Sequence, residues 1–176
     1  MIEGKLVNLR SLEMADLERM QGWINDRDVT RFLSSRYQMS LAAEEAWLRS
    51  RTSATMTYGD AVFAIETKDG RHIGNCGLHQ ATPESRAAML GILIGEKDCW
   101  SQGYGSDAVR TLIRFGFDEM NLHRIELHVY DFNERAIAAY RRCGFVEEGR
   151  MRDAHYGGGR YIDVVVMAVL RDDGAA

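Results

Sequence analysis

The chain has 176 residues, of which 45% are hydrophobic and 27% charged, and its formal net charge is −4. These values predict a soluble globular protein, most simply one domain over residues 1–176, and argue against a general nucleic-acid binder. The three cysteines are widely spaced and form no C-x-x-C pair. They argue against a disulfide scaffold or a structural zinc site and favour the cytoplasm. The N-terminal residues lack a signal-peptide pattern and no apolar run approaches about 18 residues, so no membrane contact is expected.

The first half of the chain predicts two helices between strands. Alternating polar and apolar residues over 5–10 indicate a strand, and apolar residues at helical spacing indicate a helix over 14–24. Ser40 is suited to cap a second helix. Strands over 61–66 and 72–79 flank an Asp-Gly pair, which is typical of a hairpin turn.

The second half predicts strands that alternate with helices and then two closing strands. The element order is β-α-α-β-β-β-α-β-α-β-β, in which hairpins are combined with one β-α-β crossover. This order predicts an α/β fold with a mixed rather than purely parallel sheet. The predicted elements are a strand over 87–94, a helix over 105–120, a strand over 124–130, a helix from Asn133 to Gly144, and strands over 145–151 and 161–170.

A glycine-containing loop is the most informative feature of the chain. The apolar strand residues 90–94 are followed by a polar loop and then by the sequence QGYGS over 102–106, where a helix opens. Two glycines leave backbone N–H groups uncovered at a helix N-terminus, where the helix dipole favours negative charge. The loop therefore predicts a site for the pyrophosphate of a phosphorylated cofactor.

The same glycines formally fit the dinucleotide fingerprint G-x-G-x-x-[G/A] over 103–108. In a Rossmann turn the glycines follow the strand almost at once, whereas here residues 95–102 intervene. The acidic residue expected about 20 positions later is also badly placed. No G-K-[ST] follows, which excludes a P-loop. A nucleotide-dependent oxidoreductase is therefore poorly supported.

Two motifs carry a resemblance to a known family. Residues 100–108, WSQGYGSDA, resemble the acetyl-CoA pyrophosphate loop of the GNAT N-acetyltransferases, [R/Q]-x-x-G-x-[G/A]. Residues 133–145, NERAIAAYRRCGF, resemble the family's second hallmark, N-x-x-[A/S]-x-x-x-Y-x-x-x-G-F. The opening over 6–17 resembles that of the family, and residues 159–167 resemble the closing strand of its Rim-type ribosomal-protein and polyamine acetyltransferase branch. The resemblance covers nearly the whole chain and implies a mixed, mostly antiparallel twisted sheet of about seven strands flanked by about four helices.

Three positions depart from the family pattern. Trp100 stands where the loop motif has Arg or Gln, and Ser101 stands where glycine is common. Met89 occupies a strand position at which many relatives carry Glu. A mechanism that uses a carboxylate at that position is therefore not supported.

The resemblance implies an acetyl-CoA-dependent N-acetyltransferase in which a primary amine attacks the thioester directly in a ternary complex. The acceptor stays open among a protein N-terminus, a polyamine or other small amine, an aminoglycoside and an amino sugar. A non-catalytic acyl-CoA-binding sensor of the same fold is the alternative. No metal, nucleic acid or membrane is expected, and exposed strand edges would permit a homodimer.

The resemblance also implies where the cofactor binds. Backbone groups of the strand before the loop pair with the pantetheine arm, and the loop itself holds the pyrophosphate. Asn133 is first a helix N-cap, and the resemblance adds a contact with the cofactor arm. The expected cofactor-binding residues are Ile92, Leu93, Ile94, Trp100, Ser101, Gln102, Gly103, Tyr104, Gly105, Ser106 and Asn133.

The candidate catalytic residues lie after the loop. Tyr140 resembles the family tyrosine that protonates the departing thiolate, and a core aromatic is its structural alternative. Glu126, His128 and Tyr130 alternate along one strand, and a polar face on a central strand is typical of a cleft. His128 is a candidate base because imidazole titrates near neutrality, and Glu126 is a second candidate, directly or through water. A water relay without a single base is the competing mechanism.

Three other reactive side chains have a simpler interpretation. Cys143 has no partnered base in the sequence and is expected to pack. His72 and His79 flank a strand without forming an H-x-x-x-H pair, so they do not indicate a metal site.

Overall fold

A computed structural model describes residues 1–35, 37–53 and 58–173. The described residues form eight strands and five α-helices. In chain order these are β1 (Ile2–Glu3), β2 (Val7–Arg10), α1 (Leu17–Asn25), α2 (Arg27–Thr30), α3 (Leu41–Thr52), β3 (Asp60–Thr67), β4 (His72–His79), β5 (Ala87–Ile94), α4 (Tyr104–Asp118), β6 (Arg124–Tyr130), α5 (Glu134–Arg142), β7 (Val146–Gly157) and β8 (Arg160–Leu170).

The eight strands form one sheet in the order β1-β2-β3-β4-β5-β6-β8-β7. Among the described strands only β5 and β6 pair in parallel. This arrangement confirms the prediction of a mixed, mostly antiparallel sheet. The two elements beyond the predicted order, β1 and α2, have two and four residues and are too short for a periodic signal.

Local signals in the sequence place most element ends correctly. Ser40 caps α3 by accepting a hydrogen bond from the backbone N–H of Ala43 at 3.2 Å. Gly70 in the β3–β4 turn and Gly144 after α5 have φ angles of +88° and +95°, in the left-handed region that glycine tolerates. The largest boundary error is in β7, which continues to Gly157 instead of ending at residue 151. That part of β7 is mostly exposed, so it shows no alternation of buried and exposed residues.

Each face of the sheet has its own apolar core. On one face the sheet packs against α4, with Leu112 and Ile125 fully buried. On the other face Val62 and Ala64 of β3 pack with Trp23 of α1 and Leu48 of α3. In the described ranges, no helix combines the length and the apolar character that crossing a membrane requires.

The pairing between β5 and β6 ends early. Residues 87–89 of β5 pair with residues 124–126 of β6, and the ladder stops there. From Leu90 to Ile94, β5 keeps β4 on one side but faces an open cleft on the other. The backbone groups on that side of β5 are therefore available to a ligand.

Gly74 is required by the close approach of β4 to the end of β5. A Cβ built on Gly74 would lie 2.1 Å from the carbonyl oxygen of Leu93, and a backbone atom in a central strand cannot move away cheaply. We expect Gly74→Ala to lower the free energy of unfolding by about 3 kcal/mol. Gly149→Ala is the matched control, because a Cβ on Gly149 would meet no atom within 4 Å. Urea unfolding of both variants tests this, and equal stabilities would contradict it.

Candidate active site

The opening between β5 and β6 is a cleft of about 680 Å³. Its walls come from β5, the glycine loop, the first turn of α4, β6, α5 and the segment after α2. Most of the site residues expected from the sequence line it. They are Ile92, Leu93, Ile94, Trp100, Ser101, Gly103, Gly105, Ser106, His128, Asn133 and Tyr140.

The side chains of three expected residues lie outside this lining. Gln102 donates a side-chain hydrogen bond to the backbone carbonyl of Asp98. Tyr104 packs against the core beneath α4. Glu126 sits where β5 and β6 are still paired, and its carboxylate accepts a hydrogen bond from the guanidinium of Arg124 at 3.0 Å.

The glycine loop leaves the N-terminus of α4 exposed to the cleft. Gly103 is the N-cap residue with φ +90°, and Ser101 also has a positive φ, +62°. The indole N–H of Trp100 donates to the carbonyl oxygen of Ile94 at 2.8 Å and anchors the loop to the end of β5. The first N–H groups of α4 have no acceptor within the helix and lie at its positive end. The loop therefore has the geometry of an anion site.

Asp107 anchors the N-terminus of α4 to the backbone of residues 5–7, a role that the sequence did not reveal. Its buried carboxylate accepts hydrogen bonds from the backbone N–H groups of Lys5, Leu6 and Val7 at 3.2, 2.7 and 3.0 Å. Gly4 makes room for this arrangement, since a Cβ there would lie 2.6 Å from the carboxylate. The sequence shows an acidic residue in the first turn of α4. It does not show what that residue binds, because its partners lie about 100 residues away in the chain.

Helix α5 brings Asn133 and Tyr140 to the cleft. Asn133 caps the helix by accepting a hydrogen bond from the N–H of Ala136 at 3.3 Å, as predicted. The ring of Tyr140 packs edge-on against Phe145, with 5.9 Å between the ring centroids. Burial raises the pKa of the Tyr140 phenol to about 12. The phenol therefore keeps its proton at neutral pH and can donate it.

The polar residues of β6 differ in how they are placed relative to the cleft. His128 is exposed in the wall of the cleft. Tyr130 also lines the cleft, and its ring stacks on His155 of β7 with centroids 4.4 Å apart. Because Glu126 pairs with Arg124 beyond the lining, only part of this face reaches the cleft.

An aromatic and cationic cluster closes one end of the cleft. The ring of Phe32, which follows α2, stacks on Phe132 at 5.9 Å and meets Trp100 edge-on at 6.3 Å. The Arg135 guanidinium lies 4.6 Å from the centre of the Trp100 ring. A smaller cavity of about 340 Å³ adjoins this cluster and is lined in part by three cations, Arg31, Lys97 and Arg135. Sequence reasoning missed the cluster because no local pattern joins residues so far apart in the chain.

Comparisons with known proteins agree with this geometry. The family model of the acetyltransferase (GNAT) domain matches residues 7–146. The spermidine N(1)-acetyltransferase of Vibrio cholerae is 28% identical over 166 residues, which cover 94% of this chain and 93% of that protein. The uncharacterized N-acetyltransferase p20 of Bacillus licheniformis is also 28% identical, with the same coverage.

A solved structure shows the same architecture. The crystal structure of spermidine N-acetyltransferase from Vibrio cholerae in complex with CoA and spermine superimposes with a TM-score of 0.87 at 27% sequence identity. The match covers 96% of this chain and 97% of that one. The fold, the cleft and the two motifs thus lead to one conclusion: the chain belongs to the GNAT family of acetyltransferases and is an N-acetyltransferase that uses acetyl-CoA.

Proposed function

We propose that acetyl-CoA lies in the cleft between β5 and β6 and that its acetyl group passes directly to a small primary amine. The observation that carries this proposal is the early end of the β5–β6 ladder beside the open N-terminus of α4. A polyamine is the preferred acceptor, because the relative from Vibrio cholerae is a spermidine acetyltransferase. A protein N-terminus is the second candidate acceptor.

In this proposal each part of the cofactor is assigned to a different part of the cleft. Backbone N–H groups of Gly103, Gly105 and Ser106 face the pyrophosphate, where the helix dipole adds favourable charge. The pantetheine arm runs along the free side of β5, where its amides meet the backbone of residues 92–94. Arg31 and Arg135 beside the aromatic cluster suit the remaining phosphate charge of CoA, whereas Lys97 already pairs with Asp26 and Asp28.

The chemistry needs three groups beyond good positioning. A lysine-like amine has a pKa of about 10.4, so the acceptor must lose a proton before it attacks. The tetrahedral intermediate needs a hydrogen-bond donor, which a free backbone N–H of β5 provides. The departing thiolate takes a proton from the phenol of Tyr140. On the β6 side of the site His128 lines the cleft as a candidate proton acceptor, whereas Glu126 lies outside the lining and pairs with Arg124.

The first test is calorimetry of the full chain, freed of bound ligand, with acetyl-CoA and with NADH as the control. We expect micromolar affinity for acetyl-CoA and no binding of NADH. Thiol release in the presence of spermidine, and of a short peptide with a free N-terminus, then identifies the acceptor. The proposal fails if acetyl-CoA does not bind. Binding without transfer to any member of a broad panel of amines would instead indicate an acyl-CoA sensor.

We further propose that the chain acts as one domain in the cytoplasm and forms a homodimer. Three buried cysteines, Cys76, Cys99 and Cys143, are free, as expected of a reducing compartment. Strand β7 forms one edge of the sheet and exposes Val146 and Tyr156, which suits pairing with a second copy.

A further inference from the structure

A second histidine lies beside the cleft, on the face of the sheet that packs against α1–α3. Strand register places Asp60 of β3, His79 of β4 and Met89 of β5 side by side. The Nδ1 atom of His79 lies 2.5 Å from a carboxylate oxygen of Asp60. We propose that His79, oriented by Asp60, is the base that takes the proton from the acceptor amine. This role rests on the proposed function.

Two glycines place the imidazole ring over β5. A Cβ on Gly77 would lie 2.9 Å from Nε2 of His79, and a Cβ on Gly91 would lie 3.5 Å from the same atom. Gly77 and Gly91 are register partners, so the sheet carries no side chains at these two positions beneath the ring. Any side chain at Gly77 would displace the imidazole. The pair of glycines therefore sets the position of Nε2.

Gly91 also marks the point at which β5 becomes available to a ligand. The last residue of β5 paired with β6 is Met89, and Gly91 lines the cleft. His79 stands one strand away and is not itself a lining residue, but its Nε2 lies beside Gly91, which is one. An acceptor amine that approaches a thioester on the free side of β5 would therefore pass close to Nε2.

The charges around His79 suit a base. Arg51 of α3 forms an ion pair with Asp60 and so places a positive charge beside that carboxylate. An ionised carboxylate accepts a hydrogen bond from Nδ1–H, so the lone pair of the neutral ring is on Nε2. Within the described part of the chain, Nε2 has no hydrogen-bond partner of its own. The next charged group along the strands is Glu126, which Arg124 neutralises.

The protonation state also suits the role. Burial, and to a smaller extent the charge of Arg51, lower the pKa of His79 below the ordinary value of 6.5. This direction favours the neutral ring, which is the form that can receive a proton.

These groups account for every proton transfer that the reaction requires. Nε2 of His79 takes one proton from the acceptor ammonium, and the freed nitrogen bonds to the thioester carbonyl carbon. The C–S bond then breaks, and the thiolate takes the phenol proton of Tyr140. The surplus proton on the new amide nitrogen restores the phenol through solvent. His79 releases its proton to water, so one proton leaves per amide formed.

The decisive variant is His79→Asn, whose amide N–H can still donate to Asp60 but which cannot act as a base. With acetyl-CoA and spermidine or the peptide, whichever is acetylated faster, we expect kcat/KM at pH 7.5 to fall about 100-fold. The dissociation constant of acetyl-CoA should stay within twofold of wild type, which verifies the fold. His79→Gln serves as a second variant of different shape. His123→Asn, an exposed histidine in the turn before β6, is the control with unchanged activity.

The pH profile separates a base from a structural residue. In the wild type His79 deprotonates the ammonium form, so kcat/KM should level off above an apparent pKa below 6.5. In His79→Asn only free amine reacts, so kcat/KM should rise by about tenfold per pH unit up to pH 9. Activity of His79→Asn within fivefold of wild type, or a profile of wild-type shape, would overturn the role of His79 alone. Acetyl-CoA binding without acetyl transfer by the wild type would overturn the proposed function and the role of His79 together.

Discussion

Replacing Tyr140 by phenylalanine is expected to lower kcat about 1000-fold, within the range measured for loss of a positioned acid. The phenol is half-buried at the cleft, and its raised pKa of about 12 keeps it protonated through the neutral range. Without that proton the thiolate departs unprotonated, so the C–S bond breaks slowly. Stopped-flow or steady-state measurement of free thiol release gives kcat directly.

The variant keeps the aromatic ring and its packing against Phe145, so stability and acetyl-CoA affinity should change little. Tyr156→Phe removes the hydroxyl of an exposed tyrosine on β7 and is the matched control for the chemical change. If Tyr140→Phe turns over as fast as Tyr156→Phe, Tyr140 is not the acid. It is then a core aromatic, the alternative that the sequence left open.

Introducing a carboxylate at Gly105 is expected to weaken cofactor binding by about three orders of magnitude. Gly105 lies in the first turn of α4, and a Cβ there would meet only Ile94, at an ordinary 3.5 Å. The backbone therefore tolerates a side chain, and the effect of Gly105→Glu comes from charge. A carboxylate about 4 Å from a phosphate costs about 4 kcal/mol near a protein surface. This cost raises the dissociation constant of acetyl-CoA roughly 1000-fold, which calorimetry can measure.

Two further variants at the same position separate charge from size. Gly105→Gln has nearly the volume of Gly105→Glu without its charge and should bind acetyl-CoA much more tightly. Gly105→Ala should bind nearly as well as wild type. Equal affinity for acetyl-CoA in the Glu and Gln variants would mean that no phosphate lies at the start of α4.

Local chemistry explains which features the sequence could predict. The Asp-Gly turn, the caps at Ser40 and Asn133, and the left-handed Gly144 depend on interactions within a few residues. The two motifs likewise contain the whole start of α4 and all of α5. The fold and the region of the cleft could therefore be predicted from these segments.

Features that depend on strand register or on distant packing could not be predicted in this way. His79 and Asp60 are 19 residues apart, and only the pairing of β3 with β4 makes them neighbours. Phe32 contacts Trp100 at one end of the cleft, and no local sequence pattern predicts this contact. Glu126 was expected on the polar face of β6, but its ion pair with Arg124 depends on side-chain geometry that periodicity does not contain.

The divergence of β5 from β6 gives the sheet an edge inside the molecule. Sheet proteins usually cover, charge or shorten their edges, because unpaired N–H and C=O groups recruit other strands. Here the half of β5 beyond Met89 is such an edge, enclosed by α4, α5 and the segment after α2. An extended arm bearing two amides, such as pantetheine, would complete this edge as an added strand does in peptide recognition. The cofactor would then act as a structural member of the sheet as well as the acetyl donor.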